Sequence, residues 1–195
     1  MNIHQLSVTY VAEQDRILAR VNTTAGEELR LWFTRRLLCQ LWPLLDRAVT
    51  EQIAGQAGAA HLPTADEYTR RMVTEFERAN LLQAADFETP FSPQSAGLPL
   101  GAEPLLITDV GIKSLPEGKL RLQLSENLGG GPEKGVAPRS FNMLLNAQLS
   151  HGLTHLLRKA IATAQWPMGQ ADGRGAVAAE GIDERAVASG PKYLN

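Results

Sequence analysis

Apolar and polar residues alternate along the first part of the chain. Residues 6–11 are β-prone, and residues 16–21 and 28–33 place apolar side chains at every second position. A period of two is typical of half-buried strands. Polar residues at 12–15 and an Asn-to-Gly run at 22–26 supply turns between the strands. We therefore predict a three-stranded antiparallel meander.

At Thr34 the apolar period changes from two to about 3.6, which indicates an amphipathic helix capped by the Thr34 hydroxyl. Pro43 lies inside this helix, and because proline has no N–H we expect a kink or a restart there. Small residues at 55–63 end the helix. Its predicted apolar stripe consists of Leu37, Leu38, Leu41, Leu44, Leu45 and Ala48.

A second predicted helix begins at residue 64, where Thr-Ala-Asp-Glu fits a capping box. Residues 89–104 then hold four prolines and two glycines. Because these residues interrupt regular structure, we interpret this stretch as a connection and as the best candidate boundary within the chain. The stripe that the second helix is expected to bury consists of Tyr68, Met72, Phe76, Ala79 and Leu82.

Strand and helix patterns recur in the second half of the chain. We predict strands at residues 105–110 and 119–125, a turn at 116–118 and a glycine-rich loop at 129–138. A further strand precedes Asn146, which caps the last helix. The inward side chains of that strand and helix are Phe141, Met143, Leu145, Leu149, Leu153, Leu156, Leu157, Ala160, Ile161 and Ala164.

The two halves share a register. Residues 29–48 align with residues 141–160 without a gap, so that the helix caps Thr34 and Asn146 coincide and the leucines match. Any strand followed by an amphipathic helix would align its leucines in this way, but the shared register extends through the caps. We predict an α+β fold of two β-β-β-α repeat units related by pseudo-two-fold symmetry.

The predicted units span residues 1–62 and 105–167. An inserted helix and a Pro/Gly-rich connection occupy residues 63–104, and residues 168–195, rich in Ala, Gly and charge, form a flexible C-terminal tail. The arrangement is similar to the repeated sheet-plus-helix units of the Pur-alpha and Whirly single-stranded nucleic-acid binders. Those units have four strands where three are predicted here, and no motif is shared. The similarity concerns architecture alone.

Composition narrows the function classes. The chain has 195 residues, 44% of them hydrophobic, and a net charge of −2, which is ordinary for a globular protein without a general attraction to nucleic acid. No apolar run approaches the roughly 18 residues of a membrane helix, and the first residues lack a signal-peptide pattern. The single cysteine, Cys39, agrees with a cytoplasmic location. We expect a cytoplasmic protein with no membrane partner.

Few residues suggest catalysis. His151 and His155 lie one helical turn apart and could share a metal ion, but two ligands are too few, and a solvated surface is the simpler interpretation. Residues 129–135 lack the order of a phosphate-binding loop. Cys39, between leucines, is predicted to be a packed small side chain. We expect no enzymatic activity, no cofactor and no metal.

The outward face of the predicted strands is the surface that most suggests binding. Cations around an aromatic ring suit single-stranded nucleic acid, although Glu28 lies among them and outward arginines also keep strands from aggregating. The candidate residues of this face are Arg16, Arg20, Arg30, Trp32, Lys119 and Arg121.

Trp42 suggests a different kind of contact. It lies at the side of the first helix stripe, near Arg35 and Arg36, and tryptophan with arginine is typical of protein interfaces; alternatively, Trp42 widens the core. We predict a non-enzymatic binding, adaptor or assembly protein that acts through protein–protein contacts or self-association as a homo-oligomer. The alternative is single-stranded nucleic-acid binding through the face that carries the arginines and Trp32.

Overall fold

A computed structural model describes residues 3–56, 67–86, 89–93, 97–127 and 139–168. Within these ranges the chain has an α+β fold with two sheets and three helices. The predicted capping residues at 64–66, the glycine-rich loop and the tail beyond residue 168 lie outside the described residues. No described helix is long and apolar enough to cross a membrane.

The first sheet contains the predicted meander. β1 (Ile3–Val11), β2 (Arg16–Thr23) and β3 (Glu28–Thr34) are consecutive antiparallel neighbours, which confirms the prediction. A fourth strand, β4 (Leu105–Leu106), pairs in parallel with β3. The sequence gives no signal for this pairing, because β4 has two residues and its partner lies far away along the chain.

The second sheet repeats the order of the first three strands of the first sheet. β5 (Asp109–Leu115), β6 (Lys119–Glu126) and β7 (Arg139–Leu145) are antiparallel neighbours. The strand predicted at 105–110 is split between the two sheets. The amide of Ile107 donates to the carbonyl oxygen of Trp32, and the next amide, of Thr108, donates to Ser125 in β6. The chain therefore changes sheets between these two residues.

The helices are α1 (Arg35–Gln56), α2 (Glu67–Gln83) and α3 (Ala147–Thr163). Both predicted caps are confirmed: the amide of Leu37 donates to Thr34 Oγ1 at 3.2 Å, and the amide of Leu149 donates to Asn146 Oδ1 at 2.8 Å. The predicted restart at Pro43 is wrong, because α1 continues through it. Pro43 lies on the exposed side of α1, where the carbonyl freed by the missing N–H can reach solvent.

One core joins both sheets to α1 and α3. α1 contacts β5 of the second sheet and α3 contacts β1 of the first, so each helix reaches the sheet of the other half. α2 packs on α1 and α3. The side chains that meet at the centre of this core are Ala19, Val21, Leu31, Phe33, Leu41, Leu45, Leu122, Leu124, Met143, Leu153 and Leu157.

Candidate interaction surface

α2 turns its apolar side away from the protein. Met72 is 57% exposed, and one helical turn to either side Tyr68 is 70% and Phe76 is 65% exposed. Thr74, on the opposite side of α2, is 7% exposed. The predicted burial of the stripe that begins at Tyr68 is therefore wrong: Ala79 is exposed as well, and only its last member, Leu82, is half-buried.

Polar contacts fix this orientation of α2. The Arg78 guanidinium donates to Thr50 Oγ1 of α1, and Gln148 Nε2 of α3 donates to the carbonyl oxygen of Ala84 at 3.3 Å. The facing side of α3 is also polar, since it carries Gln148 and the buried His151. The groove between α1 and α3 therefore holds the mixed side of α2, from which Leu81 packs against the core and Arg78 bonds to Thr50, and the row of Tyr68, Met72 and Phe76 faces outward.

The exposed side chains form a continuous row, here called the α2 stripe: Tyr68, Met72 and Phe76. Residues four positions apart lie above one another on a helix, so the three side chains are neighbours. Arg71 and Glu75, both exposed and of opposite charge, lie one turn apart on one flank of the stripe. The surface is thus a narrow apolar row beside a cation and an anion.

The residue types of the α2 stripe distinguish it from the core helices. Hydrophobic periodicity alone does not record this difference. The stripes of α1 and α3 consist mainly of leucine, whereas the α2 stripe has tyrosine, methionine and phenylalanine. Aromatic residues and methionine are enriched where proteins contact one another. A comparison of residue types among the three helices would have distinguished α2 from the two core helices.

His151 lies in the groove beneath α2. Its ring is buried, which corrects the expectation of a solvated surface, whereas His155 is half-buried. Burial lowers the pKa of His151, and the positive charges of Arg78 and nearby His155 lower it further. Among the described residues, no group of three or more metal-ligating side chains is present.

Two of the predicted binding arginines are engaged by a buried carboxylate. Arg20 Nε lies 2.9 Å and Arg30 Nε 2.7 Å from Glu28 Oε1, and the Glu28 side chain is fully buried. Burial raises the pKa of Glu28, but the hydrogen bonds from Arg20 and Arg30 outweigh this effect and the net pKa is lowered. The two arginines therefore stabilise an anion within the protein.

The segment at residues 89–93 covers part of the same sheet face. The Phe91 ring centroid lies 4.4 Å from the Arg20 guanidinium carbon, in a cation–π contact. Asn22 Nδ2 donates to the Ser92 carbonyl oxygen at 2.6 Å. Arg20 is therefore held between Glu28 and Phe91.

The remaining predicted residues are spread over several elements. Arg16 and Trp32 are half-exposed on the first sheet, whereas Lys119 and Arg121 are exposed on the second. Lys119 Nζ lies 2.7 Å from a Glu117 carboxylate oxygen. The structure thus divides the predicted sheet-face residues between two separate sheets.

Trp42 and Cys39 lie on α1. Trp42 is partly buried against the core, and its ring centroid lies 5.4 Å from the Arg158 guanidinium carbon. Cys39 is exposed, so its prediction as a packed side chain is wrong. Its sulfur atom lies 3.9 Å from that of Met168.

Trp166, which follows α3, connects distant parts of the fold. Its indole N–H donates to Asp15 Oδ1 at 2.8 Å, and its ring meets the Tyr10 ring edge-on at a centroid distance of 5.8 Å. Tyr10 also donates to the same Asp15 oxygen at 2.9 Å. No local pattern predicts this contact, because its partners are far apart in sequence.

No family model matches the chain, and neither the curated proteins nor the solved structures contain a significant match to it.

Proposed function

We propose that this protein is a non-enzymatic binding or assembly protein that contacts other protein chains through the α2 stripe. The observation that supports the proposal is the exposure of Tyr68, Met72 and Phe76 on a helix whose opposite side is fixed against the protein. Contiguous exposed apolar surface of this kind is typical of interaction sites.

The energetics of the α2 stripe favour a partner. Burying one phenylalanine or methionine side chain is worth about 1.5–3 kcal/mol relative to leaving it exposed. Tyrosine is among the residues that dominate binding energy at interfaces. Because the three side chains form one row, a single partner surface can cover all of them.

The proposal is tested by photo-crosslinking in the cells that produce the protein. A benzoylphenylalanine replaces Phe76 in one variant and, as a matched control, replaces Ala162, which is exposed on α3. We expect an adduct at position 76 and none at position 162. The captured protein is then purified, and Phe76→Ser is expected to weaken its binding at least about 10-fold, as for a central interface residue.

The absence of an adduct at position 76 would contradict the proposal. So would a reconstituted complex whose affinity is the same with Phe76 and with Phe76→Ser. Because Phe76 is 65% exposed, the variant should fold normally, and its far-ultraviolet circular dichroism should match that of the original chain.

Single-stranded nucleic-acid binding is the second proposal. Its support is the half-exposed pair Arg16 and Trp32, and it is weakened by the engagement of Arg20 and Arg30 with Glu28. A labelled mixed-sequence oligonucleotide at low salt provides the test. Binding that falls steeply with salt and drops for Trp32→Ala would support this function, and no binding would reject it.

We propose as well that the two halves are β-β-β-α repeats related by a pseudo-two-fold axis. The shared order of three antiparallel strands followed by a helix supports this proposal, as do the matching caps Thr34 and Asn146. A cytoplasmic location remains a prediction and is tested by fractionation of the source cells.

A further inference from the structure

The α2 stripe is symmetric about its central residue. Tyr68 and Phe76 each lie four positions from Met72, so an aromatic ring stands one helical turn away on either side. If two copies of α2 pack antiparallel with Met72 near a two-fold axis, Tyr68 of each copy meets Phe76 of the other. Both aromatic pairs then form at once, with the methionine sulfur atoms between them.

The charges beside the stripe are complementary in the same arrangement. In an antiparallel helix pair related by a two-fold axis, the same flank of each helix meets its counterpart. Arg71 and Glu75 lie on one flank. With Met72 on the axis, Arg71 of one copy lies about 3 Å along the helix from both Glu75 and Arg71 of the other, whereas the two Glu75 residues lie about 9 Å apart along it. Two attractive pairs therefore oppose one repulsive pair.

We propose that the occupant of the α2 stripe is a second copy of this chain, bound antiparallel through α2 about a two-fold axis. This inference rests on the proposed function and names its partner. A flank with one cation and one anion does not select a strongly charged partner, and the anion opposes docking on an acidic membrane. This flank does match the same flank of a second copy, because Arg71 of each copy lies near Glu75 of the other. Two-fold dimers are also the commonest protein assemblies.

The size of the stripe sets the expected affinity. A buried aromatic side chain contributes about 150–250 Å², so the partly exposed Tyr68, Phe76 and Met72 together contribute roughly 400 Å² per copy. A standard stable interface buries about 800 Å² per partner. We therefore expect a weak dimer with a micromolar Kd.

The test measures the mass of the full chain by light scattering from about 1 µM to about 1 mM, a range that brackets a micromolar Kd. We expect a transition from monomer to dimer that Met72→Ser abolishes. The matched control is Leu44→Ser, a substitution of a second 57% exposed apolar residue, on α1. It should leave the transition unchanged.

Charge exchange tests the antiparallel geometry. Arg71→Glu should weaken the dimer about 3- to 10-fold, because it places two carboxylates together in each of two pairs. Glu75→Arg should do the same, although it also removes the 3.2 Å contact with Arg78. The double variant Arg71→Glu/Glu75→Arg should restore the dimer, and failure of this rescue would overturn the antiparallel arrangement.

A chain that stays monomeric throughout this range would overturn self-association. The crosslinking experiment at position 76 then tests separately whether the stripe binds another protein. An adduct with a different protein would retain protein binding and replace the partner, and an adduct within one chain would assign the stripe to residues of the same molecule. No adduct would remove both inferences.

Discussion

α2 and α3 are helices of equal length that use an apolar side in opposite ways. Both have 17 residues. α3 buries Leu153 and Leu157 against the sheets, whereas α2 exposes Met72 and Phe76. α3 belongs to the layer that covers the sheets, whereas α2 packs outside that layer, on α1 and α3, and is joined to them partly by polar contacts. The comparison shows that periodicity identifies an apolar side, whereas the layer in which a helix packs decides what that side contacts.

The largest expected effect on the free energy of unfolding comes from truncating a buried leucine of a core helix. Leu153→Ala in α3 should lower the free energy of unfolding by about 2–5 kcal/mol, since it removes buried methyl groups and leaves a cavity. Leu41→Ala in α1 should have a similar effect, because Leu41 is also buried. Urea unfolding measures both. The control is Leu44→Ala, which should change the free energy by less than about 0.5 kcal/mol.

A smaller effect is expected where α2 meets α3. The pKa of His151 is lowered in the folded state, so below the unfolded-state pKa of about 6.5 the unfolded chain binds more protons at this position. The contribution of neutral His151 to the free energy of unfolding is therefore complete above the unfolded-state pKa. It is lost as the pH falls from there through the lowered pKa of the folded state. Stability should therefore decrease on acidification from about pH 8 to about pH 5.

The matched variant for this prediction is His151→Gln, which keeps a polar side chain but does not titrate. Its free energy of unfolding, measured by urea at the same pH values, should fall less on acidification than that of the original chain. Equal losses would show that the groove beneath α2 does not hold His151 neutral. Other titrating groups, such as Glu28, are present in both proteins and cancel in the difference.

The smallest expected effect on folding is in the α2 stripe. Phe76→Ser should change the free energy of unfolding by less than about 0.5 kcal/mol when measured below the dimer Kd, because the ring has little protein contact to lose. A loss above about 2 kcal/mol would mean that Phe76 is packed, and the contrast with α3 would disappear. Thermal unfolding at low protein concentration is the measurement.

Local patterns predicted much of the fold. The three strands of the first sheet, both helix caps and the turn at 116–118 depend on neighbouring residues, and these predictions are confirmed. β4 was missed as a separate strand, because the partner of each of its residues lies across the fold. The split of the 105–110 strand has the same cause, since no local pattern records a change of sheets.

The candidate site was less predictable than the fold. Alternation correctly places Arg20 and Arg30 on the outward face, but it does not reveal that Glu28 between them is buried and binds both. A distant segment contributes as well, since Phe91 covers Arg20, one of the two arginines that bind Glu28. For α2, the sequence contains an apolar side and a mixed side, and the hydrogen bonds to Thr50 and from Gln148 on the other helices favour the mixed side as the inward one.

The contact between Trp166 and Asp15 has a consequence for the order of synthesis. These residues are 151 positions apart, and α3, made late, covers β1, made early. At roughly 5–20 residues per second, translation separates them by about 8–30 s. During that interval the inner side of the first hairpin lacks the helix that covers it in the folded protein.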